Sequence, residues 1–236
     1  MQETTKISAA VSEITERISA ACIRAGRNPD EVTLIAVSKT MPVEAIREAM
    51  ACGLKEFGEN KPQELRDKQA VIKEPLHWHM IGALQTNKLK YVVGKTVLIH
   101  SVDSLHLAEA IDEASEKRGI VSDILLEVNI SGEASKHGIA PEKLEELLRE
   151  LVHFSHIKVR GLMTVAPYTE QAEENRVYFK KMKQLMVDIN SKNIDNIAMD
   201  VLSMGMTGDF EVAVEEGATL VRVGTGIFGH RVYPHK

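Results

Sequence analysis

The order of short apolar runs along the chain constrains its fold more than any other feature of the sequence. Eight such runs alternate with segments that have helical spacing of their apolar residues. The runs predict strands near residues 32–37, 56–58, 78–81, 97–100, 124–130, 157–163, 200–203 and 219–223. The intervening segments predict helices over 43–52, 62–72, 87–93, 104–117, from Pro141 onward, 171–189 and 210–216. A further helix is predicted over residues 6–25, ahead of the first strand.

Strict alternation of strands and helices indicates a parallel sheet covered by helices. Eight strands can close on themselves, and 236 residues is near the ~250 typical of a (β/α)8, or TIM, barrel. An open doubly wound sheet is the alternative, because the second run is weak and six or seven strands would suit that fold. We expect the barrel, as one domain over residues 1–236 with an extra N-terminal helix.

Charge and composition exclude several classes of protein. The chain has 29 basic and 34 acidic residues, a net charge of −5, and 4% aromatic residues, which does not suit a nucleic-acid-binding protein. Its apolar runs are all shorter than the ~20 residues that span a bilayer, and its polar N-terminus does not resemble a signal peptide. Two cysteines form neither a disulfide framework nor a metal motif. We therefore expect a cytoplasmic protein that binds neither nucleic acid nor membranes.

Two loops after the last predicted strands have the composition of an anion site. Strand seven leads into residues 203–209, Ser-Met-Gly-Met-Thr-Gly-Asp, and strand eight into residues 224–229, Gly-Thr-Gly-Ile-Phe-Gly. Glycines expose backbone N–H groups, hydroxyls add donors, and TIM barrels often bind phosphate at these two loops. The second loop also matches the GxGxxG pattern, but the sequence does not continue into the βαβ unit that a dinucleotide site needs. A phosphate site is the prediction.

A lysine and an arginine are expected beside these loops. Lys39 follows the apolar first strand, which neighbours the eighth strand in a closed barrel. Arg222 lies within the eighth strand on the same face as Gly224, and its charge needs a partner there. That partner is either a carboxylate on a neighbouring strand or an acceptor on a ligand. A Schiff-base lysine, a phosphate anchor and an arginine on a ring nitrogen together indicate pyridoxal 5′-phosphate (PLP).

Six motifs distributed along the sequence carry a family resemblance. They are Val-Ser-Lys-Thr at 37–40, Phe-Gly-Glu-Asn at 57–60, His-Met-Ile-Gly…Gln-Thr-Asn-Lys at 79–88, Gly-Leu-Met-Thr at 161–164, Ser-Met-Gly-Met-Thr at 203–207 and Val-Arg-Val-Gly-Thr…Phe-Gly at 221–229. With them the chain resembles the YggS/PROSC family of PLP homeostasis proteins over nearly its whole length. The resemblance implies a single-domain barrel like the N-terminal domain of alanine racemase.

The resemblance also implies a role for each matching residue. These are Lys39 for the Schiff base, Arg222 for the pyridine nitrogen, Ser203, Gly224 and Thr225 for the phosphate, and Asn60 and Met204 for the pocket lining. The sequence departs from the family pattern at Lys61-Pro62 and at Ala83, near the expected pocket entrance. No metal site is expected, although His77 and His79 share one face of a strand.

The expected function is to carry or buffer PLP with little or no turnover. An arginine stays protonated and keeps the ring nitrogen unprotonated, which makes the ring a weak electron sink. A PLP-dependent amino-acid racemase is one alternative. Its second base would be a tyrosine from an added domain of a partner subunit, and Tyr233 lies too near the terminus to be predicted in that role. An aldolase-type barrel with a Schiff-base lysine and no PLP is the other alternative. We expect a monomer whose partners are PLP and apo PLP-dependent enzymes.

Overall fold

The strands form a closed parallel barrel in the computed structural model, which describes residues 5–133, 136–195 and 197–229. They are Thr33–Val37 (β1), Glu56–Glu59 (β2), His77–Met80 (β3), Leu98–Val102 (β4), Ser122–Glu127 (β5), Ile157–Met163 (β6), Val201–Met206 (β7) and Leu220–Val223 (β8). Each strand pairs with the next, and β1 pairs with β8 through Ile35 and Arg222. The predicted (β/α)8 barrel is confirmed, and the open sheet is excluded.

Helices cover the outside of this barrel. They are Lys6–Arg24 (α1), Val43–Ala51 (α2), Pro62–Val71 (α3), Leu105–Glu116 (α4), Leu144–Leu151 (α5), Arg176–Ser191 (α6), Phe210–Glu215 (α7) and Thr225–Phe228 (α8). Short 3₁₀ helices lie at Pro29–Glu31, Thr86–Tyr91, Pro141–Lys143 and Ala172–Asn175. Among the residues described, none of these helices is long and apolar enough to cross a membrane.

The extra N-terminal helix packs beside the end of the last strand. Thr5 caps α1 by accepting a hydrogen bond from the Ser8 N–H, and its buried side chains include Val11, Ile14 and Ile18. This face packs on α7 and α8, and a Cβ at Gly226 would lie 3.2 Å from Ile14 Cδ1. A small residue at 226 therefore lets α1 support the loop after β8.

Three predicted elements differ from the structure. The helix predicted over 87–93 is the short 3₁₀ helix Thr86–Tyr91, so the β3–β4 connection has no regular α-helix. The strand predicted over 124–130 ends at Glu127. The strand predicted over 200–203 continues to Met206, and its pairing with β8 shifts register between Ser203 and Met206. Gly205 lies within this irregular stretch and has a φ of +90°, a conformation that favours glycine.

The barrel interior holds both apolar and polar side chains. Leu98, Leu125 and Met163 form a buried cluster that is separate from the main apolar core. Other buried strand residues are polar, among them His79, His100, Ser203 and Arg222. The main apolar core lies between the barrel and its helices. Of the polar group, Arg222 lines the site described next.

Candidate cofactor-binding site

A cavity of about 390 Å³ opens at the carboxyl ends of the strands. Five of the seven residues expected at a cofactor site line it: Lys39, Asn60, Arg222, Gly224 and Thr225. The strand order explains this convergence, because closure of the barrel brings the loop after β1 next to the loop after β8.

The half-buried Lys39 is held in place through the backbone on both sides of it. The Ser38 carbonyl accepts a hydrogen bond of 2.7 Å from Lys68 Nζ, and the Thr40 N–H donates to Glu64 Oε1 at 2.5 Å. Thr40 has a φ of +64°, which is rare for a β-branched residue. Such a strained backbone persists only where its surroundings hold it in place. Here the two side chains that hold it, Lys68 and Glu64, both come from α3.

A buried cluster of charges supports this loop from the outer side of the barrel. Lys68 Nζ also donates to Glu59 Oε1 and to Glu64 Oε1, each at 2.7 Å. The Ser38 hydroxyl donates to the same Glu59 oxygen at 2.6 Å. Burial raises the pKa of Glu59, although Lys68 opposes the shift. The second oxygen of Glu59 has no hydrogen-bond partner in the part of the chain described, so Lys68 is its main compensation.

Arg222 forms part of the cavity floor and is 5% exposed. Its guanidinium donates to Ser203 Oγ at 2.5 Å and to the Thr164 carbonyl at 2.8 Å. Burial lowers the pKa of Arg222 to about 10, while Glu127 and Asp209 oppose the shift, so the side chain stays charged at neutral pH. Among the described residues these bonds use two of its five N–H donors. Donors therefore remain for a group in the cavity.

Uncharged donors cluster on the side of the cavity formed by the last two loops. Thr207 and Thr225 both line it, with their hydroxyl oxygens 3.2 Å apart. The Gly226 N–H donates to Thr207 Oγ1 at 3.2 Å, which ties the two loops together. Gly224 and Gly208 line the same wall and leave the backbone accessible. This combination of hydroxyls and glycine backbone suits an anion.

Asn60 supplies an acceptor that the protein itself does not use. Its Oδ1 is buried and without a hydrogen-bond partner among the described residues, although the residue lines the cavity. A Cβ at Gly82 would lie 2.4 Å from the Asn60 carbonyl oxygen, so only glycine allows the loop after β3 to pack against Asn60. A buried amide oxygen without a partner indicates a place for a ligand donor.

Two of the expected site residues do not line the cavity. The Ser203 hydroxyl is fully buried beneath it and bonds Arg222 and His100. Met204 is also fully buried and packs in the apolar core outside the barrel. Met204 therefore lies away from the cavity, because neighbouring strand residues point to opposite faces and Ser203 points inward. Tyr233 lies outside the described residues.

The sequence prediction did not assign the other residues that line the cavity. They are Val37, Ile81, Val165, Met206, Thr207 and Gly208. Val165 and Met206 are each 38% exposed and form an apolar rim. Thr207 could have been found, because it lies in the predicted phosphate loop. The departures from the family pattern at Lys61-Pro62 and Ala83 do not line the cavity.

Comparisons with known proteins agree with this geometry. Residues 11–232 match the family described as alanine racemase, N-terminal domain. The pyridoxal phosphate homeostasis protein of Aquifex aeolicus is 49% identical over 94% of this chain and 97% of that protein. The protein of the same name from Escherichia coli is 38% identical over 96% of this chain and 97% of its own.

The chain belongs to the family of pyridoxal phosphate homeostasis proteins. PipY of Synechococcus elongatus, solved with PLP bound, superposes with a TM-score of 0.80 at 37% identity, covering 92% of this chain and 100% of PipY. Alanine racemase of Clostridium difficile superposes with a TM-score of 0.69 at 15% identity, covering 94% of this chain and 60% of the racemase. That second likeness shows a shared fold alone.

Proposed function

We propose that this member of the family binds PLP through a Schiff base on Lys39 and carries or buffers it, with little or no turnover. The observation that carries the proposal is the convergence of Lys39, the buried Arg222 and two threonine hydroxyls on one cavity. The names of the relatives and the PLP in PipY support the choice of ligand.

The chemistry of the cavity fits PLP at each of its functional groups. Bound PLP supplies an aldehyde, with which a neutral lysine amine condenses to a Schiff base and releases water. Lys39 supplies the amine, and Arg222 supplies charged N–H donors for the ring nitrogen. Thr207 and Thr225 supply hydroxyls for the phosphate. Asn60 Oδ1 offers the acceptor that the protein leaves unpaired.

Arg222 supports the proposed lack of turnover for transamination in particular, whereas racemisation would still be possible with acid/base groups on both faces of the substrate. A guanidinium that remains charged at neutral pH donates to the ring nitrogen and gives it no proton. The ring then draws electrons weakly, and a bound amino acid gains little stabilisation for the loss of a proton. Storage and delivery need no such stabilisation.

Labelling of the lysine tests the proposal directly. Purified protein mixed with PLP should turn yellow, and borohydride should bleach it and leave a pyridoxyl mass on the peptide that contains Lys39. Lys39→Ala should carry no adduct, whereas Lys61→Ala, a change at an exposed neighbour of the cavity, should be labelled like wild type. An adduct on another lysine would refute the assignment, and a colourless protein with PLP present would favour the aldolase-type barrel.

Amino-acid racemisation is the second candidate, because residues 11–232 match the alanine racemase domain. PLP-loaded protein incubated with L-alanine should produce no more D-alanine than free PLP does. Formation that is lost in Lys39→Ala would establish a racemase in place of a carrier.

Delivery to other proteins completes the proposal. We propose that the protein acts in the cytoplasm as a single-domain monomer and gives PLP to apo PLP-dependent enzymes. Loaded protein should reactivate such an apoenzyme even when a trap removes free PLP from solution. Light scattering should give a mass near 26.2 kDa. Reactivation that the trap abolishes would mean that PLP is simply released.

A further inference from the structure

A continuous series of hydrogen bonds crosses the barrel interior beneath the cavity. Arg222 donates to Ser203 Oγ, which lies 3.0 Å from His100 Nδ1. His100 Nε2 lies 2.9 Å from His79 Nδ1, and His79 Nε2 lies 2.8 Å from Glu56 Oε2. The five side chains come from β8, β7, β4, β3 and β2, and we call them the relay.

With both imidazoles neutral, the two ends of the relay fix the direction of every hydrogen bond in it. Burial opposes ionisation of Glu56, but hydrogen bonds from His79 and His77 outweigh it and lower the pKa of Glu56. Ionised Glu56 only accepts, so His79 carries its proton on Nε2 and accepts at Nδ1 from His100 Nε2–H. His100 then accepts at Nδ1 from the Ser203 hydroxyl. Arginine only donates, so Ser203 accepts from Arg222.

The surroundings keep His100 neutral. Ser203 and His100 are 0% exposed and His79 is 4% exposed. Burial lowers the pKa of His100 well below its ordinary range, and the positive charge of Arg222 acts in the same direction. Within the described parts of the chain, the relay atoms all have partners, and no group of three or more His, Cys, Asp or Glu side chains could hold a metal ion.

The negative charge that is hydrogen-bonded to Arg222 through the relay is that of Glu56, which does not contact Arg222 directly. Among the described residues no carboxylate oxygen lies within 4.0 Å of its guanidinium nitrogens. Glu127 and Asp209 act on it over a longer distance, and burial raises the pKa of Glu127. Glu56, by contrast, is linked to it through oriented bonds that polarise one another.

We propose that Ser203, His100, His79 and Glu56 are positioning residues that orient Arg222 and set how strongly it donates to the ring nitrogen of PLP. The inference rests on the proposed function, because only bound PLP offers Arg222 a ring nitrogen as an acceptor. These four side chains act on the ligand through Arg222. Glu56 fixes the imidazole tautomers, and the imidazoles fix the Ser203 hydroxyl and hence the guanidinium.

The tautomers can be measured without PLP. Nitrogen-15 NMR of the apo protein at neutral pH should show His100 and His79 as neutral imidazoles with the proton on Nε2. In Glu56→Gln the His79 signals should shift most and those of the exposed His153 should not change. A protonated His100, or a His100 with its proton on Nδ1, would overturn the relay whether or not PLP binds.

Ligand selectivity separates positioning from general structure. The test compares PLP with its analogue that has C–H in place of the ring nitrogen, using His100→Asn, His100→Gln and the control His153→Asn. Asparagine can replace the Nδ1 acceptor and glutamine the Nε2 donor, so each variant breaks the relay on a different side. Both should weaken PLP binding about tenfold, which is the scale of one lost hydrogen bond. Binding of the analogue should change less than roughly twofold, because it makes no bond to Arg222.

Each outcome bears on one proposal. If every relay variant lost equal affinity for PLP and for the analogue, the relay would have a merely structural role. If no variant lost affinity for PLP, Arg222 would need no support from the relay. Glu56→Gln, which keeps the shape of its side chain, provides the same comparison if the His100 variants fail to fold. Failure of wild type to form the Lys39 adduct would refute the proposed function and leave the NMR result standing.

Discussion

Replacement of Lys68 by methionine tests whether buried charges hold the loop around Lys39. Lys68 Nζ donates to the Ser38 carbonyl, Glu59 and Glu64, each at 2.7 Å, and its side chain is 7% exposed. Methionine keeps the apolar length of the side chain and removes these donors. Among the described residues, the Glu59 carboxylate would then accept a hydrogen bond only from the Ser38 hydroxyl.

In Lys68→Met, Glu59 can either stay ionised or take up a proton, and the response with the lower free-energy cost sets the loss of stability. A buried carboxylate that stays ionised without its partner costs about 3–5 kcal/mol. Protonation costs about 1.4 kcal/mol for each pH unit between pH 7 and the ordinary glutamate pKa of ~4.3, which is about 3.7 kcal/mol. We therefore expect Lys68→Met to lower the free energy of unfolding by about 3–4 kcal/mol at pH 7.

The pH dependence gives this prediction its signature. In the variant the folded-state pKa of Glu59 lies further above its unfolded value, so the folded state binds more protons and loses stability as pH rises through that window. The difference from wild type in urea unfolding should therefore shrink at pH 5. The exposed Lys73→Met serves as the control, and Glu59→Gln in the Lys68→Met background should recover about 2 kcal/mol. A loss below about 1 kcal/mol at pH 7, or an equal loss at both pH values, would refute the reasoning.

Three further predictions concern other parts of the site. The pKa of His100 is lowered in the folded state, so the unfolded chain takes up a proton first as pH falls below ~6.5. The free energy of unfolding should then fall between pH 7 and pH 5 by up to ~1.4 kcal/mol per pH unit. His100→Asn should reduce this dependence on pH, measured by urea unfolding at each pH, and an unchanged dependence would contradict the prediction. Gly82→Ala should displace the Asn60 backbone, lowering both the melting temperature and PLP affinity, because its Cβ would lie 2.4 Å from the Asn60 oxygen. Thr207→Val and Thr225→Val should each weaken PLP binding about tenfold and pyridoxal binding far less; equal losses would argue against a phosphate contact.

Local sequence pattern was sufficient for the fold and for one side of the site. Strand periodicity and the count of eight placed Lys39 after β1 and Gly224 after β8, and closure of the barrel makes those strands neighbours. The proximity of these two residues could therefore be predicted without knowledge of any side-chain contact. It required only the order of the strands and the alternation of faces along each strand. The weak second strand was also found, because Glu56–Glu59 is short but flanked by helices.

Features that depend on register or on distant strands could not be predicted in this way. The pairing of β7 with β8 shifts register between Ser203 and Met206, and Met206 lies at the cavity rim while Met204 lies in the core. For Arg222 the sequence offered a carboxylate or a ligand as the partner, whereas the structure supplies a serine and a carbonyl. The relay joins strands far apart in sequence, and each of its members alone resembles an ordinary buried polar residue.

The buried polar side chains in the barrel interior indicate that this part of the structure is not optimised for stability alone. TIM-barrel interiors are usually filled by branched apolar side chains, and well-packed apolar groups are often as stable as a buried polar network. Here Leu98 and Leu125 pack in an apolar cluster in that usual way. His79 and His100 are buried as well, and their hydrogen bonds continue through Ser203 to Arg222. A buried histidine pair is tolerated because the residues at both ends of the relay complete its hydrogen bonds. We therefore expect stability and ligand selectivity to be separable in this barrel, since the apolar cluster can contribute to folding without acting on Arg222.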